Sequence, residues 1–278
     1  MSWSDREQQV YNEITLWREE LGSYQGHDIS HTFSRWLDSS FSNLPEEIKK
    51  DIFAKMDSSF FHLHSMIQGT HLHKDNKERM MATAKAFDES IEHLEDFQQL
   101  RIDQLHWMAI QQSGRHKLYS FLQGGVAGTG GFVAFGTDFL AMALLNIRAI
   151  QFIATAYGRD IQTPYEMTLS LKVFHAATMP IRYQAEAWDE LVDSLQSREL
   201  DYFFSGNDEL TNERWLEGPL KQLIKSSAIS LFRKKRISNV PVISVSIGAL
   251  SNYQFTRRVT DFTERFYQYR FLLDKKDH

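Results

Sequence analysis

The stretch Gly124-Gly-Val-Ala-Gly-Thr-Gly-Gly-Phe-Val-Ala-Phe-Gly136, continued by Thr137-Asp-Phe-Leu-Ala-Met-Ala-Leu-Leu-Asn-Ile-Arg-Ala-Ile-Gln-Phe-Ile-Ala-Thr-Ala-Tyr-Gly158, decides the fold. Six of the chain's fourteen glycines lie in its first thirteen residues. From Leu118 to Ile147, thirty residues carry a single charge, Asp138, and Arg148 closes the run. Small residues let helices approach closely, and Gly124 and Gly128 have the spacing of such contacts. The stretch therefore reads as a glycine-packed helical hairpin, buried in the core or dipping into a membrane. A bilayer core about 30 Å thick needs roughly 20 apolar helical residues. The glycines interrupt the first half, and only sixteen residues run from Phe132 to Ile147. A conventional membrane span falls short.

The glycines do not spell a phosphate-binding loop. A Walker A motif ends in Gly-Lys-Ser/Thr, and no lysine lies between Lys117 and Lys172. A dinucleotide fingerprint follows a strand, and none precedes Gly128, Gly130 and Ala134. No cofactor is expected from this stretch.

Outward from the hairpin the periodicity is helical. Val10, Ile14, Trp17 and Leu21 step by 4, 3 and 4 along one face. Pro45 with Glu46 and Glu47 marks a helix first turn, followed by Ile48, Ile52, Met56, Leu63 and Ile67. Met80, Ala84, Phe87, Ile91 and Leu94 predict a helix reaching towards Ile110. Phe255, Val259, Phe262, Phe266, Tyr269 and Leu273 predict an amphipathic helix, with Arg257, Arg258, Asp261, Glu264, Arg265 and Gln268 on its other faces. Val240 to Gly248 is β-branched and fits helix or strand. The expectation is an all-α fold, one multi-helix domain over 1–278. Amphipathic helices fill 1–117, and 118–278 is built around the hairpin.

Twenty Phe, ten Tyr and six Trp supply ample core surface, at roughly 150–250 Å² per buried ring. Mean hydropathy of −0.41 argues against a polytopic membrane protein. Net charge of −5 gives no footprint for nucleic acid, which is not expected as a partner. The absence of cysteine excludes disulfides, thiolate zinc and a cysteine nucleophile. The first residues show no basic stretch leading into an apolar one, so a cytoplasmic location is expected.

Few residues invite chemistry. Asp138 and Arg148 lie ten residues apart, about 15 Å along one helix, so each needs a partner elsewhere. His62 and His64, like His71 and His73, are two apart and diverge on a helix, so no metal site is expected. Asp160 and Glu166 flank Pro164 and either cap a helix start or line one pocket. Arg233, Lys234, Lys235 and Arg236 form the strongest basic cluster, a solvated helix end or a contact for an anionic membrane surface.

The chain resembles the EcsC family, bacterial proteins often encoded beside an ABC transporter of the Ecs type. The residues that carry the likeness are Ala127-Gly128-Thr129-Gly130-Gly131, then Asp138, Arg148-Ala149-Ile150, Tyr157-Gly158, Asp160 and Glu166. Pro241, Ile247-Gly248-Ala249 and Asn252 follow, and then Tyr267 and Arg270. The likeness runs from about Leu118 to the end and is weaker before it. Arg233 to Arg236 and Asp201 to Glu213 depart from the typical pattern. The resemblance implies a mostly helical fold and a cytoplasmic or membrane-peripheral role connected with transport. It supplies no catalytic residues.

Three functions stay open. The first is a non-catalytic accessory protein that touches a membrane or an ABC transporter. The second is a cytoplasmic module holding a small amphipathic or acyl ligand between helices. The third is a hydrolase using Asp138, Asp160 and Glu166, which requires a pocket that gathers at least two of them.

Overall fold

A computed structural model describes residues 3–23, 71–111, 113–114, 132–179, 181–196 and 241–277. Every regular element among them is helical, so the chain is all-α. In chain order they are α1 (Asp5–Ser23), α2 (His71–Phe87), a 3-10 turn (Leu94–Gln99) and α3 (102–111). Then come α4 (Phe132–Ala156), α5 (Pro164–Thr178), α6 (Ile181–Gln196) and α7 (Pro241–Asp277). The first arm of the expected hairpin, the helix expected after Pro45, His62, His64 and the basic cluster 233–236 lie outside the described residues. His71 and His73 lie on α2, their side chains outside the described part.

The second arm of the hairpin is α4, and it sits centrally, packed on α7, α5 and α2. From Ala143 to Ala156 it is buried on nearly every face. Ala143, Ala149, Ala154 and Ala156 supply small surfaces on which neighbours come close, and Ile147, Ile150 and Ile153 fill the space between. Asn146 and Thr155 donate to the carbonyls of Met142 and Gln151 one turn back, and the side-chain oxygen of Asn146 is buried with no hydrogen bond among the described residues.

Of the β-branched Val240–Gly248 segment, Pro241 to Gly248 are helix. Pro241 opens α7, where a missing N–H is no loss, and the helix then runs for 37 residues. Its second half is more deeply buried than an amphipathic pattern predicts. Val259, Phe262 and Phe266 are buried as expected, but so are Tyr267, Gln268, Arg270, Phe271 and Leu272. The reason is position: α7 is flanked by α4, α5 and α1, leaving little of that second half to solvent.

The helix expected from Met80 towards Ile110 is broken. It stops at Phe87 because Asp88 turns its carboxylate onto the backbone N–H and hydroxyl of Ser90, at 2.9 and 2.7 Å. Asp96 then accepts from the N–H groups of Glu92 and His93 and starts the 3-10 turn. The apolar period survives the break as burial: Met80, Ala84, Ile91 and Leu94 all reach the core, and Phe87 does not.

The α1 helix closes the bundle against α6 and α7. Trp188 of α6 stands at the junction, with ring centroids 5.1 Å from Trp17, 5.5 Å from Phe262 and 6.0 Å from Phe266. Such edge-on pairs add about 0.5–1.5 kcal/mol each beyond burial. Arg18 grips Asp189 with two parallel bonds along the same seam.

Candidate functional site

Asp160, Glu166 and Arg270, three of the polar residues singled out by the sequence, lie where α4 ends and α5 begins. Gly158 terminates α4 at φ +77°. Its N–H donates to Thr155 O at 3.0 Å and that of Arg159 to Ala154 O at 3.1 Å, the two crossed bonds of a Schellman ending. A Cβ at Gly158 would lie 2.5 Å from Leu94 O and 3.0 Å from the Phe97 Cβ. Glycine here satisfies both the backbone angle and the close approach of the 3-10 turn.

The chain then turns through Asp160, whose Oδ1 accepts from Gln162 N at 3.0 Å while Oδ2 meets Lys77 of α2 at 3.3 Å. Thr163 caps α5, its hydroxyl accepting from Glu166 N at 3.3 Å. A glutamate at that third position would ordinarily reach back to the N–H of Thr163. Here that N–H donates to Asp160 O instead, and Glu166 points into the core. The two carboxylates therefore do not serve as the α5 cap.

Glu166 is gripped by Arg270 of α7, Nη1 to Oε2 at 3.0 Å and Nη2 to Oε1 at 2.7 Å, with both side chains under a tenth exposed. Burial works against the charge on Arg270, but the facing carboxylate outweighs it and raises its pKa. The guanidinium also lies 5.5 Å from the Tyr165 ring centre and 6.0 Å from that of Tyr267. Tyr267 stacks on Tyr157 at 6.4 Å. Both hydroxyls are buried and make no hydrogen bond of normal geometry, although Ser170 lies beside one and Gln268 beside the other. Burial, and then the negative charges of Glu166 and Glu264, push Tyr267 and Tyr157 respectively above the usual phenol range. Neither phenol gives up its proton near neutrality. Arg159 reaches Asp274, so the loop is tied to α7 a second time.

The other singled-out residues do not join this cluster within the described residues. Asp138 lies near the start of α4, its side chain outside the described part. Arg148 is half-buried further along α4, and burial lowers its pKa. Pro241, Gly248 and Asn252 lie in the first turns of α7. Gly128, Gly130, Gly131 and Arg233 to Arg236 lie outside the described residues. Sequence reasoning named Glu166 and Arg270 without pairing them. The available sign was an arginine set between Tyr267 and Phe271 on an aromatic helix face.

The model of the EcsC protein family matches residues 8–272. The chain belongs to the EcsC protein family. No curated protein and no solved structure matches it. The match reaches back to α1, so the EcsC pattern covers the N-terminal helices as well as the segment after Leu118.

Chemically, the EcsC cluster is an ion-pair clasp. Both oxygens of Glu166 face Arg270, and Asp160 faces Lys77 and its own turn. Among the described residues no group of three or more His, Asp or Glu is placed to hold a metal. A surface groove of about 270 Å³ opens elsewhere, between α1 and α6, lined by Tyr11, Trp188 and Tyr269 together with Arg18, Asp189 and Asp193.

Proposed function

We propose that this EcsC protein is a non-catalytic accessory protein acting at a membrane surface or on a membrane transporter. The buried Glu166–Arg270 pair carries the non-catalytic part of this reading. A general base or nucleophile must present a lone pair to substrate, whereas Glu166 has both oxygens engaged and little exposure. The role of the cluster is to fix α5, α7 and the α4–α5 turn together.

The membrane part is supported by the single charge between Leu118 and Ile147. No helix among the described residues is long and apolar enough to cross a membrane, which favours a peripheral contact. The likeness to proteins encoded beside ABC transporters suggests the transporter as a partner, on the cytoplasmic face. Fractionation of cells expressing the tagged chain tests this. Recovery with membranes, or co-purification of transporter subunits, is expected. A wholly soluble protein carrying neither lipid nor transporter overturns it.

Binding of an amphipathic ligand draws less support. The α1–α6 groove is slightly below the roughly 300–1,000 Å³ of typical small-molecule sites, and Arg18, Asp189 and Asp193 put charge in its lining.

A further inference from the structure

Three of the four large apolar side chains exposed among the described residues stand together. Phe87 ends α2, Trp107 meets it edge-on at 5.8 Å, and Ile110 follows Trp107 by one turn on α3. They are 40%, 48% and 46% exposed. We infer that Phe87, Trp107 and Ile110 form a lipid-inserting patch that seats the protein on the headgroup–acyl boundary of a neutral bilayer. This rests on the membrane reading above and gives it a location.

Size speaks first for lipid. At about half exposure the three side chains offer roughly 300 Å², against about 800 Å² per partner in a stable protein interface. A second copy of the chain would find too little surface. Side-chain type agrees, because tryptophan collects at the boundary between headgroups and acyl chains.

Charge speaks next. Lys85, Asp88 and Glu89 flank Phe87 in sequence, and Asp103, one turn before Trp107, is held by Arg6 at 2.9 Å. This fringe carries both signs with a slight acidic excess, so it gives no pull towards anionic headgroups. In sequence, Ile110 stands eight residues before the run from Leu118 to Ile147, which carries a single charge. An apolar contact of this size gives reversible binding, comparable with or weaker than one acyl chain.

Flotation of the full-length chain with phosphatidylcholine vesicles tests the inference, at low and high salt. The comparisons are a Trp107→Gln/Ile110→Gln variant and an Arg233→Gln/Arg236→Gln variant. The wild type is expected to float with the neutral vesicles at both salt concentrations. The first variant should partition about tenfold less or weaker still, with an unchanged thermal melt because both side chains stand half in water. The second variant should float like the wild type. If the wild type floats and the first variant floats equally, this patch is wrong and the membrane reading stands. Binding that requires phosphatidylglycerol and vanishes in salt moves the contact to basic residues and overturns the patch. Loss of self-association in the first variant, with no change in flotation, identifies a second copy as the occupant and overturns it too. A wild type that floats with no vesicle and stays soluble in cells sinks both readings.

Discussion

At the scale of single residues the clearest demand falls on Gly158. A side chain there would face both the left-handed backbone angle and the Leu94 carbonyl. Gly158→Ala is expected to destabilise by about 2–4 kcal/mol in urea unfolding, from backbone strain and overpacking together. The Glu166–Arg270 pair makes a different prediction. Removing one partner leaves the other charged and buried, so Arg270→Met should cost about 3–5 kcal/mol. The double change Glu166→Gln/Arg270→Met should recover most of that loss, and a double mutant no more stable than the single would contradict the clasp. Tyr157 and Tyr267 behave oppositely. Their hydroxyls are buried without a normal hydrogen bond, so Tyr→Phe at either should be neutral or stabilising by up to about 1 kcal/mol. Both phenols titrate above their ordinary 10.0 in the folded chain. Stability is independent of their ionisation below about pH 10 and declines above it, because the unfolded chain ionises first. Ultraviolet titration should show two tyrosines ionising only as the protein unfolds.

Among elements, α1 is the piece whose attachment is most open to test. Trp3 donates to Leu272 O at 3.0 Å, and Lys275 reaches Glu7 at 2.5 Å, so the start of α1 is fixed to the last turns of α7. Burial alone would raise Glu7, but Lys275 and Ser4 more than reverse this and hold its carboxyl below the ordinary 4.5. A carboxylate depressed in the folded state stabilises above the unfolded pKa, and the contribution is lost as pH falls through the folded value. Urea midpoints should therefore fall below about pH 4.5, and Glu7→Gln should lower the neutral midpoint while flattening that acid limb. Trp188 anchors the same seam through rings on α1 and α7. The surface pair Arg6–Asp103, about half exposed on both sides, should contribute no more than about 1 kcal/mol.

Across the whole molecule the bundle places its order and its exposed surface in different parts. The ion-pair clasp and stacked tyrosines hold α4, α5 and α7, while α2 and α3 carry the one aromatic–aliphatic patch seen among the described residues. A clasp variant should therefore shift melting temperature and leave membrane recovery per folded molecule unchanged. A patch variant should do the reverse. Measuring both quantities on both variants separates architecture from interaction, and a clasp variant that loses membrane recovery while still folded would mean the cluster has a role beyond packing.

The residue period alone determined the helical class, the burial of Val10 and Ile14 on α1 and of Val259, Phe262 and Phe266 on α7, and that of Met80, Ala84, Ile91 and Leu94, because burial follows spacing even where a helix breaks. It did not determine the break after Phe87, which depends on one carboxylate choosing a nearby backbone N–H over solvent. Nor did it show that Glu166 leaves the capping geometry for Arg270, more than a hundred residues away, since only packing of α5 against α7 creates the dry space that makes that pairing necessary. The glycine-rich stretch divides in the same way. Its charge-poor composition left α4 either buried in the core or dipping into a membrane, and the burial from Ala143 to Ala156 decides for the core there. The contact with Leu94 that makes Gly158 obligatory exists only once the 3-10 turn is folded against it.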